Sequence, residues 1–280
     1  MKHVLGAVAG VALSTVAFGQ VYNTGFELPP YTASAAGVPL SGQNGWYTPA
    51  GVGMNVHTYA GNAAGLVQNP VGGNQFIAGV SQGGTNLARA QINYPFASTG
   101  VYSMAWDMAP VYLGTPPSAA NLGSVSMNHS TLAAGAFRGF ISLNNFVDVN
   151  NPSLGWKVEF NVFDAAGTAT NNLSPGSFWS NLQYNHWYRQ FVNVNLSTNQ
   201  VLSITLVDLH TGLSGSVVPS GWYLNGGANT TLPAPDAFRF FAGGQAGNTM
   251  GYDNLNIVPA PASLGLLGLA GVVAARRRRR

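Results

Sequence analysis

Eight acidic residues in a chain of 280 leave few ways to carry out acid–base chemistry. Cleaving a glycosidic bond takes two carboxyls flanking the sugar, about 5–5.5 Å apart for retention or roughly 6.5–9.5 Å for inversion. The nearest arrangement is Glu159-Phe160-Asn161-Val162-Phe163-Asp164. Asn161 stands between its acids, and Asp164, five residues on, faces away from Glu159 in a regular strand. Glu159 is therefore expected to be a solvated strand residue, with Asp107 as an acid that folding would have to bring to it. Gly212-Leu213-Ser214-Gly215 lacks the spacing of a Gly-x-Ser-x-Gly nucleophile elbow. The histidines, at 3, 57, 129, 186 and 210, form no His-x-His or His-Glu-x-x-His pair, and there is no cysteine. That removes the usual transition-metal motifs, thiolate catalysis and disulfides. No catalytic set is assigned.

Aromatic side chains are better supplied. Trp46, Tyr47, Trp179, Tyr184, Trp187, Trp222 and Tyr223 stand beside Gly, Asn or Ser in loop-like surroundings, where ring faces and amides can meet a sugar. Most tryptophans of a two-layer β protein bury their rings. Trp179, Trp222 and Tyr223 are the candidates for carbohydrate binding, with Trp179 and Trp222 expected to be exposed.

The elements that must position these residues are strands. Trp156 to Val162 alternates strictly, with Trp156, Val158, Phe160 and Val162 on one face and Lys157, Glu159 and Asn161 on the other. Val101–Met108 and Ala237–Phe241 do likewise. Trp187–Leu196 and Val201–Leu209, separated by Ser197-Thr198-Asn199-Gln200, predict a hairpin. Further strands are expected at Val21–Glu27, Val52–Tyr59, Gln75–Val80, Leu87–Tyr94, Phe137–Leu143 and Thr249–Val258. The stretches 144–153 and 168–177 are expected to be loops. Helical periodicity is not sustained, no repeat of fixed period is visible, and Gly, Pro and Asn punctuate the chain at short intervals. These features predict an all-β chain with two antiparallel sheets packed as a sandwich.

Both ends differ from this body. Met1-Lys2-His3, the apolar run Val4 to Val16 and the small-x-small pattern Ala17-Phe18-Gly19 predict a secretory signal peptide over 1–19, cleaved after Gly19. At the other end, 262–275 is uncharged and precedes Arg276, Arg277, Arg278, Arg279 and Arg280. As a helix that run measures about 21 Å, short of the roughly 30 Å hydrocarbon core unless the bilayer thins or the arginines snorkel. Guanidinium groups resist translocation, so the run would halt with the body already outside. Setting Lys2 and the terminal arginines aside leaves five basic residues against eight acidic ones, turning a formal +3 into about −3 for the body. A basic nucleic-acid-binding surface is excluded on that count. The domains expected are 1–19, a sandwich over 20–258, and a sorting tail over 259–280.

The tail, Pro259-Ala260-Pro261, apolar run, arginine cluster, resembles the PEP-CTERM sorting signal of exported Gram-negative proteins, with Ala260 where that motif has Glu. The resemblance implies an exosortase-like processing enzyme as partner, transient membrane anchoring and delivery to the cell surface or extracellular matrix. A second set of residues, Asn23-Thr24-Gly25-Phe26-Glu27, Gly45-Trp46, His186-Trp187-Tyr188-Arg189 and Gly251-Tyr252-Asp253-Asn254-Leu255, resembles concanavalin A-like lectin/glucanase jelly rolls. This implies a jelly roll of a kind that sometimes binds glycans and often holds a structural calcium between acids of the first and last strands, here Glu27 and Asp253. The expected function is that of a non-enzymatic exported protein, structural or polysaccharide-binding. A secreted carbohydrate-active enzyme is the alternative.

Overall fold

Alternation in the sequence becomes strand wherever one face finds an apolar partner. The computed structural model describes residues 20–83, 86–112, 121–244 and 246–260. The expected signal peptide, with Ala17 and Gly19, and the tail from Pro261 through Arg276–Arg280 lie outside them. The strands are, in chain order, β1 (Tyr22–Thr24), β2 (Val38–Pro39), β3 (Trp46–Tyr47), β4 (Val52–Gly53), β5 (Asn55–Thr58), β6 (Gln75–Val80), β7 (Ala88–Asn93) and β8 (Val101–Val111). They continue as β9 (Asn121–Asn128), β10 (Ile141–Phe146), β11 (Trp156–Phe163), β12 (Ala169–Leu173), β13 (Tyr188–Asn195), β14 (Gln200–Asp208), β15 (Ser214–Val217), β16 (Ala237–Ala242) and β17 (Thr249–Pro259). Among the described residues the helices are two 3₁₀ turns, and no helix is long and apolar enough to cross a membrane.

Nine strands form one sheet, ordered β15-β14-β13-β8-β17-β6-β5-β2, with β1 also on β17. Eight form the other, β12-β11-β10-β9-β16-β7-β3, with β4 on β7. The ladders are antiparallel apart from β4 with β7. This is the two-sheet antiparallel sandwich that the alternation predicts, and β13 and β14 form the expected hairpin.

Two stretches expected to be loops contain strand. Residues 144–146 continue β10, and β12 lies within 168–177. β12 is exposed along almost its whole length, so backbone hydrogen bonds to β11 define it and no apolar face marks it. β9, absent from the sequence-based expectation, carries Gly123 and Ser124 between Leu122 and Val125, which breaks the period-two signal. The strand expected over Phe137–Leu143 starts only at Ile141, because the main chain of Arg138 bonds to Pro233 instead of to a ladder.

The core lies between the sheets. Tyr102, Met104, Trp106 and Met108 of β8 and Met250, Tyr252, Leu255 and Ile257 of β17 face Phe238 and Phe240 of β16 and Trp156, Val158, Phe160 and Val162 of β11. Phe240 is stacked between Trp46, at 5.7 Å, and Tyr252, at 4.3 Å. The Tyr252 hydroxyl crosses the interior to within hydrogen-bonding distance of the carbonyls of Phe241 (2.7 Å) and Ser124 (3.1 Å) in the opposite sheet. Gly123 permits that approach, since a Cβ there would stand 2.9 Å from the hydroxyl. A second apolar cluster, with Tyr59, Leu66, Phe76 and Trp187, lies on the outer face of the nine-stranded sheet under the segment 59–74. Trp187 Nε1 donates to the Val67 carbonyl there, at 2.8 Å.

Phe240→Ala removes the ring between the two stacks and is expected to destabilise the protein by about 3–5 kcal/mol. Tyr252→Phe removes the hydroxyl that donates across the interior and is expected to cost about 0.5–1.5 kcal/mol. Urea unfolding followed by tryptophan fluorescence reads both.

Candidate functional site

The outward side chains of the eight-stranded sheet form the floor of a groove of about 940 Å³. The pairing register lays them out in two cross-strand rows. One runs Arg239, Ser126, Ile141, Asn161 over β16, β9, β10 and β11, with Gln91 of β7 behind Arg239; the other runs Arg89, Phe241, Ser124, Leu143 over β7, β16, β9 and β10, with Glu159 of β11 next in register but outside the lining. The segment from Leu132 to Phe140 walls one side, and Asn171 and Asn225 contribute amides. Small serines on the central strand keep the floor low, while Phe163 and Phe241 present ring faces and asparagines present paired donors and acceptors.

Arg239 is held from behind. Its Nε donates to Gln91 Oε1 at 2.6 Å, and the Gln91 amide donates in turn to the Tyr47 hydroxyl. Burial and the charge of Arg89 both push the Arg239 pKa down. Arg89 donates to the Ala50 carbonyl at 3.2 Å, and its guanidinium carbon lies 5.3 Å from the centre of the Phe241 ring. Among the described residues no carboxylate lines the groove. Glu159, at the end of its row, takes Lys157 Nζ and Asn145 Nδ2 on its two oxygens, both at 2.8 Å.

On the opposite outer face, covered by the segment 59–74, lies a buried acidic cluster. Asp253 stands directly across from Asp107, which stands directly across from Arg189. Like charges directly opposed repel, and Arg189 offsets this with a fork of Nε and Nη2 on Asp107 at 2.6 and 2.9 Å. Asn69 and Asn254 each add an amide donor to Asp107 at 2.7 Å. Asp253 accepts from the Tyr59 hydroxyl and from the Asn254 main chain, and burial first, then Asp107, raises its pKa well above the usual carboxylate range. Glu27 adjoins the cluster and accepts from the Gln75 main chain at 2.8 Å.

Glu27 and Asp253, 226 positions apart in sequence, lie close enough that the charge of Glu27 helps raise the Asp253 pKa. Three carboxylates face one guanidinium, an excess of negative charge in a buried setting that suits a cation or a proton. Glu27 Oε2 and Asn254 Oδ1 accept no hydrogen bond among the described residues. A Cβ on Gly25 would meet Asn254 Oδ1 at 3.2 Å and Asp253 Oδ1 at 3.9 Å. No group of three or more His, Cys, Asp or Glu is arranged to hold a metal among the described residues. A hard cation here would have Glu27 and Asp253 as carboxylate ligands and amide or main-chain oxygens for the rest.

The aromatic candidates are placed differently from expectation. Trp179 is buried, 3% exposed, with its indole nitrogen donating to Gln190 Oε1 at 3.2 Å, so the 3₁₀ turn that carries it folds inward. Trp222 is half-buried against Phe160, and Tyr223 is half-buried, bridging β11 and β14 through its main chain. None of the three lines the groove. Asp107 and Glu159 lie on outer faces of different sheets, so the acid pair raised for the enzymatic alternative does not form. Sequence reasoning missed Arg89, Arg239 and Phe241. Their outward parity in alternating strands was the available signal; what it lacked was which sheet would be left uncovered.

No protein-family model matches the chain, and no curated protein matches it. Among solved structures the chain is similar to peanut lectin, at 10% identity with a TM-score of 0.48, over 87% of this chain and 99% of that one. It is also similar to lectin II from Ulex europaeus, at 7% identity with a TM-score of 0.47, over 86% and 98%. A carbohydrate esterase of the Shiga toxin-encoding bacteriophage phi24B is similar at 15% identity with a TM-score of 0.44, over 77% and 91%. The likeness is one of broad architecture, and neither ligand nor activity follows from it.

Arg189→Met leaves Asp107 buried with no cation and is expected to lower stability by about 3–5 kcal/mol. The double change with Asp107→Asn should recover part of that loss. Chemical unfolding of the three variants measures the coupling, and a double-mutant loss equal to the sum of the two single losses would show that the pair is not coupled.

Proposed function

We propose that this chain is an exported, non-enzymatic surface protein that holds an extended polysaccharide in the groove of the eight-stranded sheet. One observation carries this: the open outer face of the sandwich is a trench floored by amides, serines, phenyl rings and guanidinium groups, without a carboxylate. That is equipment for holding hydroxyls and sugar ring faces. It lacks the paired acids that glycoside hydrolysis uses. The ends of the chain supply the address. The first 19 residues direct export; Pro259, Pro261 and the terminal arginines present the tail to an exosortase-like enzyme while the apolar run holds it in the membrane.

Ser124→Trp places an indole on the groove floor without touching the core. In affinity electrophoresis of the full chain through gels containing bacterial exopolysaccharide, it is expected to lose at least about tenfold in affinity, equivalent to about 1.4 kcal/mol. Unchanged retardation by the blocked variant, at unchanged circular dichroism, sets the groove aside as the binding site.

A hard divalent cation, calcium by the chemistry of its oxygens, is proposed between Glu27 and Asp253. It would act structurally, neutralising the acidic cluster and tying the turn after β1 to β17. With the weak affinity of extracellular modules, about 10⁻⁴–10⁻³ M, calcium at about 1 mM should stabilise by about 0.4–1.4 kcal/mol, a rise of about 1–5 degrees in Tm. Glu27→Gln should abolish the rise, and a wild-type Tm indifferent to calcium and to chelator sinks the proposal.

A further inference from the structure

The body's five basic residues have separate fates. Lys157 is paired with Glu159 and Arg189 with Asp107. Arg138 is folded inward, where Nη1 donates to the carbonyls of Ser98 and Leu196 at 3.0 and 2.7 Å. Arg138 thus has main-chain oxygens but no carboxylate; the other two without a carboxylate partner among the described residues, Arg89 and Arg239, both line the groove. A body with about three more acids than bases has thus placed two of its three cations that lack a carboxylate partner among the described residues in one trench.

Their placement is unfavourable without a ligand. Arg89 faces Phe241 and Arg239 faces Gln91 in the β7–β16 ladder, so the two cations are diagonal neighbours, about 7–8 Å apart at the backbone. Both are partly buried, and for Arg239 burial first and then the charge of Arg89 push the pKa down. Acids that would relieve this are in the chain but elsewhere: Asp236 holds the loop beginning at Ser130, and Asp164 caps its own turn. The arginines are also restrained. Arg239 is bonded through Nε to Gln91, and Arg89 through Nη1 to Ala50. No partner among the described residues takes the two Nη groups of Arg239, which leaves the end of its fork for an oxyanion.

We infer that the groove takes an acidic polysaccharide, whose carboxylate or sulfate oxygens are bound by the guanidinium groups of Arg239 and Arg89. This rests on the polysaccharide reading of the groove and gives it a substrate class. Asn161, Asn171 and Asn225 serve the hydroxyls of the same chain, and Phe241, beneath Arg89, serves a sugar ring face. A nucleic acid would also offer oxyanions. Two cations in a trench otherwise amide and apolar, on a negatively charged body, do not make the basic stripe that a phosphate backbone needs.

The test uses the full chain, so that the terminal arginines are common to every variant and differences read the groove. Binding of polygalacturonate, dextran sulfate, neutral dextran and single-stranded DNA is measured by biolayer interferometry for wild type, Arg89→Gln, Arg239→Gln and Arg239→Lys. Expected is binding of one or both acidic polysaccharides that weakens with salt and falls about tenfold or more in each Gln variant, with Arg239→Lys recovering only part. The arm that binds more tightly, carboxylate or sulfate, identifies the oxyanion. Equal binding of neutral dextran, with Gln variants unaffected, overturns the acidic ligand and leaves the groove a polysaccharide site. Preference for DNA that the Gln variants lose overturns it in favour of a nucleic acid. Binding of no sugar polymer brings down both readings. Should a Gln variant fail to fold, a wild-type affinity for the acidic polymers that is independent of salt would still overturn the inference.

Discussion

Tyr252 is the contact on which both faces of the molecule depend. Its ring stacks on Phe240, and its hydroxyl reaches the carbonyls of Phe241 and Ser124, the two residues whose side chains stand next to each other on the groove floor. The backbone beneath the groove is therefore held by a side chain from the other sheet. In a sandwich the curvature of one layer is otherwise free to vary with side-chain packing; a hydrogen bond across the interior, with Gly123 cut away to admit it, removes some of that freedom.

The residues after Tyr252 turn the same strand to a second use. Asp253 points to the opposite face, and Asn254, at φ +49°, forms the irregularity that shifts the register against β8. Inward parity thereby passes from Met250 and Tyr252 to Leu255 and Ile257. The shift brings the Asn254 amide to Asp107 and keeps its main chain on Asp253. One short run, Gly251 to Leu255, thus ties the sheets together, supports the groove and builds the acidic cluster.

Charge is separated across the sandwich with the same economy. The nine-stranded sheet carries Asp107, Asp253 and Arg189 under the segment 59–74, beside the buried Trp187 and Leu66. The eight-stranded sheet has no such cover; its groove presents serines, amides, aliphatic side chains, a few rings and two arginines, with the Lys157–Glu159 pair beside it on β11. A covered face can hold opposed acids because a guanidinium and several amides surround them; an open face with unpaired cations has only solvent or a ligand to meet that need.

Alternation was legible wherever it reported burial on one side. β6 and β8, the β13–β14 hairpin, β11 and β17 follow directly from it, as does a two-layer β body with few charges. Composition alone also set the charge of that body, since the basic residues crowd into the two ends. The exposed β12 and the serine-bearing β9 were not legible, because their strands are made by backbone pairing with neighbours the sequence does not name. The inward turn of Trp179 was decided by Gln190, which accepts its indole N–H and lies on a distant strand. The groove, too, belonged to the tertiary structure: period two says that Arg89 and Arg239 share a parity with Phe241, but only the packing of the segment 59–74 onto one sheet determines which outer face stays uncovered.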